Sequence, residues 1–222
     1  MTLRLLAATD FHGATTAVER VCQKAVKEKV DLIVACGDIT HFGSYELAEE
    51  LLALLAKPKI PVFFVPGNCD PPELLKDVKI RGVSNLHGAC EIQDDLCFVG
   101  IGGSNPGPFF TPNEFMEESI LKILEEAYGK ADEEKRLILV SHAPPNGTKV
   151  DVVSSGKHVG SMSIRKFIEI KKPILNVCGH VHEARGIDHL GSTKIVNPGP
   201  SSRGYCTVVN VNAKVDVQLD VI

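Results

Sequence analysis

No stretch of this chain is long and apolar enough to cross a membrane. A spanning helix needs ~20 apolar residues, and "LLALLA" (51–56) is among the longest runs present. The opening "MTLRLLAATD" also lacks a signal-type apolar region, because its short run meets Asp10 at once. A basic excess is missing too. Lys and Arg total 24 against 28 Asp and Glu, a formal charge of −4, which makes duplex nucleic acid an unfavoured partner, since such binders carry a basic footprint. The seven cysteines (22, 36, 69, 90, 97, 178 and 206) are odd in number, form no CxxC pair and mostly lie within apolar runs. Buried thiols in a reducing, cytoplasmic compartment explain them better than a disulfide framework. With no repeat, no low-complexity tract and no linker to divide it, the chain is expected to form a single domain over 1–222.

What is present is an alternation of short apolar runs with helical stretches, the pattern of an α/β domain. Buried strands are predicted at "LRLLAAT" (3–9), "DLIVAC" (31–36), "VFFV" (62–65), "RLILVS" (136–141) and "PILNVC" (173–178). The i, i+3, i+4 stripe through Val18, Val21, Cys22 and Ala25 predicts a helix over 14–29. A second helix begins near Ser44 and stops before Pro58. "TPNE" (111–114) reads as a capping box opening a third helix that runs to about Gly129. "ACEIQDDLCFVGI" (89–101) predicts a hairpin turning at Asp94-Asp95. The tail from Val215 alternates apolar and polar residues, as in an antiparallel hairpin with one wet face.

The residues that follow the buried strands carry the chemistry. Asp10 and His12 follow the first, Asp38 the second, Asn68 the third, His142 the fourth, His180 and His182 the fifth. One acid after a strand is usually a cap or a turn residue. Five strand ends each delivering an oxygen or imidazole donor exceed what capping explains, and in α/β sheets ligands gather at the carboxyl ends of strands. Three oxygen donors and four imidazoles are too many for one ion of about four to six ligands, but suit two ions sharing a carboxylate. The mixed N/O set favours Mn, Fe, Zn or Co over Ca or Mg. Paired divalent ions are an established arrangement for in-line displacement at phosphorus.

Asp-x-His (10–12), Gly-Asp (37–38), Gly-Asn-x-Asp (67–70), Ser-His (141–142) and Gly-His-x-His (179–182) together resemble the calcineurin-like metallophosphoesterases. Their order and spacing cover most of the chain, up to "VNPGPSS" (196–202). The resemblance implies a four-layer αββα sandwich. It also implies that Asp10, His12, Asp38 and His182 hold one metal, while Asp38 (bridging), Asn68, His142 and His180 hold the other. Asp38, Asn68, His142 and His180 are then the candidate catalytic residues. Two divalent ions are expected, manganese first among them, with iron, zinc, cobalt or nickel as the others.

At position 69 the family pattern usually has a histidine that contacts the phosphate and protonates the leaving oxygen; this chain has Cys69. The thiol is redundant as a ligand, superfluous as a nucleophile and a poorer acid than an imidazolium, so filling space beside the metals is the preferred reading. Asp70 in "DPPE" reads as a helix cap. Among the remaining histidines, His41 in "GDITHFG" and His158 in the loop "SSGKHVGS" are candidate substrate contacts beside Cys69, and that loop's backbone N–H groups are placed to meet a phosphate. His87 and His189 read as structural. The expected function is hydrolysis of a small phosphoester, most readily a nucleotide-like phosphodiester, by in-line attack of a hydroxide held between the ions. A phosphomonoesterase is the nearer alternative, and association between copies of the chain is left open. A scaffold using the same fold for protein binding is the rival, and it predicts lost ligands, whereas all seven are present.

Overall fold

The structure is a computed structural model and describes residues 2–76 and 78–222. Two six-stranded mixed sheets stack face to face, with a pair of helices on each outer surface. The first sheet contains β1 (Leu3–Ala8), β2 (Leu32–Cys36), β3 (Val62–Val65) and β4 (Val83–Asn85) as parallel neighbours. It is extended beyond β1 by an antiparallel hairpin. The second sheet has β5 (Cys90–Gln93), β6 (Leu96–Ile101), β7 (Arg136–Ser141), β8 (Leu175–Val177), β9 (Gly186–Leu190) and β10 (Thr193–Asn197), in the order β5-β6-β7-β8-β10-β9. The hairpin is β11 (Tyr205–Val211) and β12 (Val215–Val221), so the first sheet runs β12-β11-β1-β2-β3-β4.

Side-chain alternation explains why the strands read as continuous apolar runs. On β1 and β2, Leu5, Ala7, Leu32 and Val34 face the second sheet, while Leu6, Ala8, Ile33 and Ala35 face α1 (Thr15–Glu28) and α2 (Tyr45–Leu55). On β7, Ile138 and Val140 face the first sheet. Leu137 and Leu139 pack beneath α3 (Glu117–Tyr128) and α4 (Met162–Lys171). Both faces of each central strand are therefore dry, which a parallel arrangement with helices outside requires. The four-layer αββα sandwich is the observed architecture. No helix among the described residues is long and apolar enough to cross a membrane.

Three local expectations need correction. The helix foreseen from "TPNE" begins only at Glu117. The capping-box bonds do form, since the Thr111 amide and hydroxyl both donate to Glu114 Oε1 at 2.9 and 2.8 Å. Helical propagation from there is blocked because the Asn113 amide donates to Asn68 O and the Phe115 amide to Ser104 O. Tertiary backbone bonds thus outcompete the local signal. In the tail, Val215, Val217 and Leu219 pack inward as the alternation requires, but Val221 is 59% exposed. Of the amides of "SSGKHVGS", those of Ser154, Gly156, Val159, Gly160 and Ser161 donate within the protein, which leaves those of Ser155, Lys157 and His158 for a phosphate. The N-terminus of α4 already holds an anion, Glu117, whose carboxylate accepts from the Met162 and Ser163 amides at 3.0 and 2.8 Å.

His87 is structural, as its sequence context suggests. Its Nδ1 accepts from the Gly102 amide at 3.0 Å, and its ring lies 5.6 Å from that of Phe115. Burial lowers its pKa from 6.5 to about 4, and protonation would convert the accepting nitrogen into a second donor. The unfolded chain takes up a proton below 6.5 while the folded chain resists until about 4, so stability falls as pH drops through that window. His87→Gln should show a shallower loss of thermal stability between those limits than the parent chain, measured by melting at a series of pH values.

Candidate metal centre

The seven strand-end donors of the sequence meet at the carboxyl ends of β1, β2, β3, β7 and β8. Four of them, Asp10, His12, Asp38 and His180, have left-handed backbones with φ of 54°, 50°, 48° and 68°. Such conformations cost about 1–3 kcal/mol each and persist only where the surroundings enforce them. The surroundings here are backbone ties between neighbouring loops. Asp10 N donates to Gly37 O, His12 N to Asp38 O, and Gly179 N to His142 O. Two glycines permit the close approach: a β-carbon on Gly67 would overlap Asp38 Oδ1, and one on Gly179 would overlap Thr9 Oγ1.

Donor atoms of the cluster face one another at short range. His12 Nε2 and His182 Nε2 stand 3.0 Å apart. The His142 Nδ1 lies 2.7 Å from Cys36 O, so that nitrogen carries the proton and donates it. The His142 Nε2 lone pair then faces Asn68 Oδ1, another acceptor, at 2.8 Å, and Asp38 Oδ1 at 3.5 Å. Asp10 Oδ1 is buried without a hydrogen-bond partner although His182 Nε2 is 3.3 Å away. One ligand atom from each of Asp10, His12 and His182 lies within 4.8 Å of the others, and the same holds for Asp10, Asp38 and His142. Asp10 thus belongs to both groups, and Asp38 lies 3.8 Å from His12 Nε2, so both carboxylates sit between the two sets of imidazoles. The His180 ring is 5.1 Å from that of His142, on the cleft side. An orphaned buried carboxylate oxygen and opposed lone pairs fit a pair of divalent cations held by oxygen and imidazole.

The electrostatics agree. Burial pushes the Asp38 carboxyl up, His142 opposes that, and Asp10 and Asp70 reinforce it. Burial alone would raise Asp10 as well, but the His182 ring and the nearby imidazoles bring it below the usual carboxylate range. His12 falls to about 4 and His180 to about 3, chiefly through burial. His182 rises, because Asp10 lies beside it. Neutral imidazoles are the form that binds metal.

The other candidates separate. His41 is exposed, and its Nδ1 lies 3.3 Å from His12 Nδ1, next to a donor. Cys69 is 8% exposed, its amide donates to Asp38 Oδ1 at 2.9 Å, and Asn68 Nδ2 lies 3.5 Å from its sulfur. Burial followed by the Asp38 charge drives the thiol pKa far up, so it stays protonated. His158 lines a cleft of about 740 Å³ together with Asn68, His180, Phe109 and Lys157. Asp70 does not cap the short 3-10 turn at Pro72–Leu75, which has no side-chain cap. Its buried carboxylate accepts instead from Ile39 N, Thr40 N, Thr40 Oγ1 and Gly67 N at 3.1, 2.7, 3.0 and 2.7 Å. It locks the Asp38 loop to the Asn68 loop. Two residues went unrecognised in the sequence: Thr9, whose hydroxyl donates to Asp10 Oδ2 at 2.9 Å, and Ser202, whose hydroxyl donates to Asp10 O at 2.9 Å. Only the position of Thr9 next to a strand-end acid signals it, and nothing local signals Ser202.

Comparison with known proteins agrees with this geometry. The family model for calcineurin-like phosphoesterases matches residues 3–184. An uncharacterized protein of Methanocaldococcus jannaschii is 41% identical, over 90% of this chain and 89% of that one. A 3',5'-cyclic adenosine monophosphate phosphodiesterase of Escherichia coli (strain K12) is 26% identical over 87% of this chain and 69% of its own. A probable glycerophosphodiester phosphodiesterase of Arcobacter nitrofigilis is 27% identical over 71% of this chain and 58% of its own. Among solved structures, a dimetal phosphatase from Danio rerio superposes with a TM-score of 0.72 at 12% identity, covering 98% of this chain and 95% of that one. At that identity the likeness speaks for the fold.

Replacing Asp70 with Ala leaves the Ile39, Thr40 and Gly67 amides without their acceptor. At about 1–3 kcal/mol per unsatisfied buried group, Asp70→Ala should lose at least ~3 kcal/mol of unfolding free energy in urea titrations. A loss under ~1 kcal/mol would show that the two loops hold together without it.

Proposed function

The chain belongs to the calcineurin-like phosphoesterases, and on that premise we propose that it hydrolyses phosphodiesters of small, nucleotide-like substrates with two divalent ions, manganese foremost. The convergence of buried, mutually opposed acceptors on two adjacent points is the observation that carries this reading. Asp10, His12 and His182, with Asp38 beside them, would hold one ion, and Asp38, Asn68, His142 and His180 the other. When bound, the ions supply an activated water and neutralise charge on the phosphoryl oxygens.

The chain's own residues do the rest. The Cys36 carbonyl fixes the His142 tautomer, and the Cys69 amide aligns the Asp38 carboxylate. Thr9 and the His180 amide orient Asp10 through its Oδ2 at 2.9 and 3.2 Å. Asn68 and His180 also line the 740 Å³ cleft, so a phosphate at the donors sits at its floor while the remainder of the substrate fills it. That volume suits a mononucleotide or dinucleotide-sized ligand. Two relatives named as phosphodiesterases support the diester over the monoester. Retention of all seven donors disfavours a protein-binding scaffold.

Protein reconstituted with Mn should carry close to two ions per chain by elemental analysis; one or none would contradict the dinuclear reading. Asn68→Ala and His180→Ala should each abolish turnover of model diesters with the circular-dichroism spectrum unchanged. Near-full activity in either would remove that residue from the site. Cys69→Ala should be nearly silent, in keeping with a buried, protonated thiol that fills space.

A further inference from the structure

The cleft holds a second construction, outside the donor cluster. Asp151 is fully buried, and its carboxylate organises the loop between β7 and α4. It accepts from the Gly147, Thr148 and Gly160 amides at 3.0, 2.9 and 3.1 Å. It also receives the Thr148 hydroxyl at 3.4 Å and meets His158 Nδ1 at 2.7 Å. Val152 pairs antiparallel with His158, and the Val159 amide donates to Asp151 O, so a miniature hairpin carries the histidine to the cleft wall. The His158 side chain is 46% exposed while its partner Asp151 is fully covered.

A buried carboxylate gripping one ring nitrogen is how proteins orient an imidazole for proton transfer at the other. With Nδ1 given to Asp151, Nε2 is left for the cleft, and among the described residues it has no hydrogen-bond partner. Its charged or titratable neighbours around the cleft are Glu114, Lys157, Glu183 and His180, and Glu114 is engaged by the Thr111 amide and hydroxyl. Glu183 is engaged by the Ser154 amide at 3.1 Å. Cys69 is buried, and among the described residues that line the cleft His158 is the one imidazole outside the donor set.

We propose that His158, positioned by Asp151, is the group that protonates the leaving oxygen. This rests on the phosphoesterase reading of the adjoining site. As the bond between phosphorus and the leaving oxygen breaks, the proton on Nε2 passes to that oxygen, releasing an alcohol and a neutral imidazole. The half-exposed ring then regains a proton from solvent. Asp151 is the positioning residue, holding the ring through Nδ1.

The test is His158→Asn, whose amide can still donate to Asp151, assayed on alkyl and aryl esters of whichever class, mono or di, the parent chain turns over. Alkyl ester turnover should fall by ~10²–10⁴, the contribution of a placed general acid. Aryl esters, whose phenolate departs without a proton, should change little, and the alkaline limb of the alkyl pH profile should vanish. Equal losses on both substrates, or none on either, would overturn the proposal. If the parent cleaves monoesters alone, the diester reading fails while the alkyl–aryl contrast still decides the role of His158. If it cleaves no ester at all, both fail. Nitrogen-15 NMR of the His158 ring supplies a readout without turnover: Nδ1 should carry a proton shared with Asp151. An Nδ1 without a proton would also overturn the assignment.

Discussion

Asp10 and Asp38 are buried side by side, and among the described residues the ion pairs that reach either carboxylate come from histidines rather than from lysine or arginine. The imidazoles His12 and His180 resist protonation there because burial disfavours their charge. His182, raised by Asp10, partly answers the negative charge, but among the described residues no lysine or arginine reaches either carboxylate. Left to itself, such a cluster would spread apart or protonate. The surrounding frame keeps it together, and the frame's construction becomes intelligible once two divalent ions are taken as what the cluster awaits.

That frame is built largely from acids that accept backbone N–H groups across loops. Asp70 joins the loop after β2 to the loop after β3. Glu117 pins the start of α4 to the start of α3. Asp151 folds the loop before α4 and holds His158 at the cleft. Asp70 and Asp151 are fully buried, and each offsets the cost of leaving water with several charge-assisted hydrogen bonds. The strained turns at Asp10, His12, Asp38 and His180 are sustained by backbone bonds between the neighbouring loops.

Much of this was legible in the sequence because the buried parallel strands leave a strong apolar signature and end on polar donors. The order of those donors sufficed to foresee which side chains the fold brings together. Other features were not legible, for physical reasons. The hairpin of β9 and β10 and the three-residue β4 are too short to establish a period. Asp70 and "TPNE" carry genuine capping signals, yet tertiary partners claim Asp70 and the amides of Asn113 and Phe115. His158 looked like a loop residue near a phosphate. Only the burial of Asp151 seven residues earlier shows how its ring is held.

The central claim is that two cations share one donor cluster, and electron paramagnetic resonance of the protein loaded with Mn(II) tests it most directly. Two ions bridged by a common carboxylate are magnetically coupled, so the account predicts the broadened, exchange-coupled spectrum of a pair. A spectrum of isolated Mn(II) ions at full occupancy, with the hyperfine pattern of a lone ion, would contradict it.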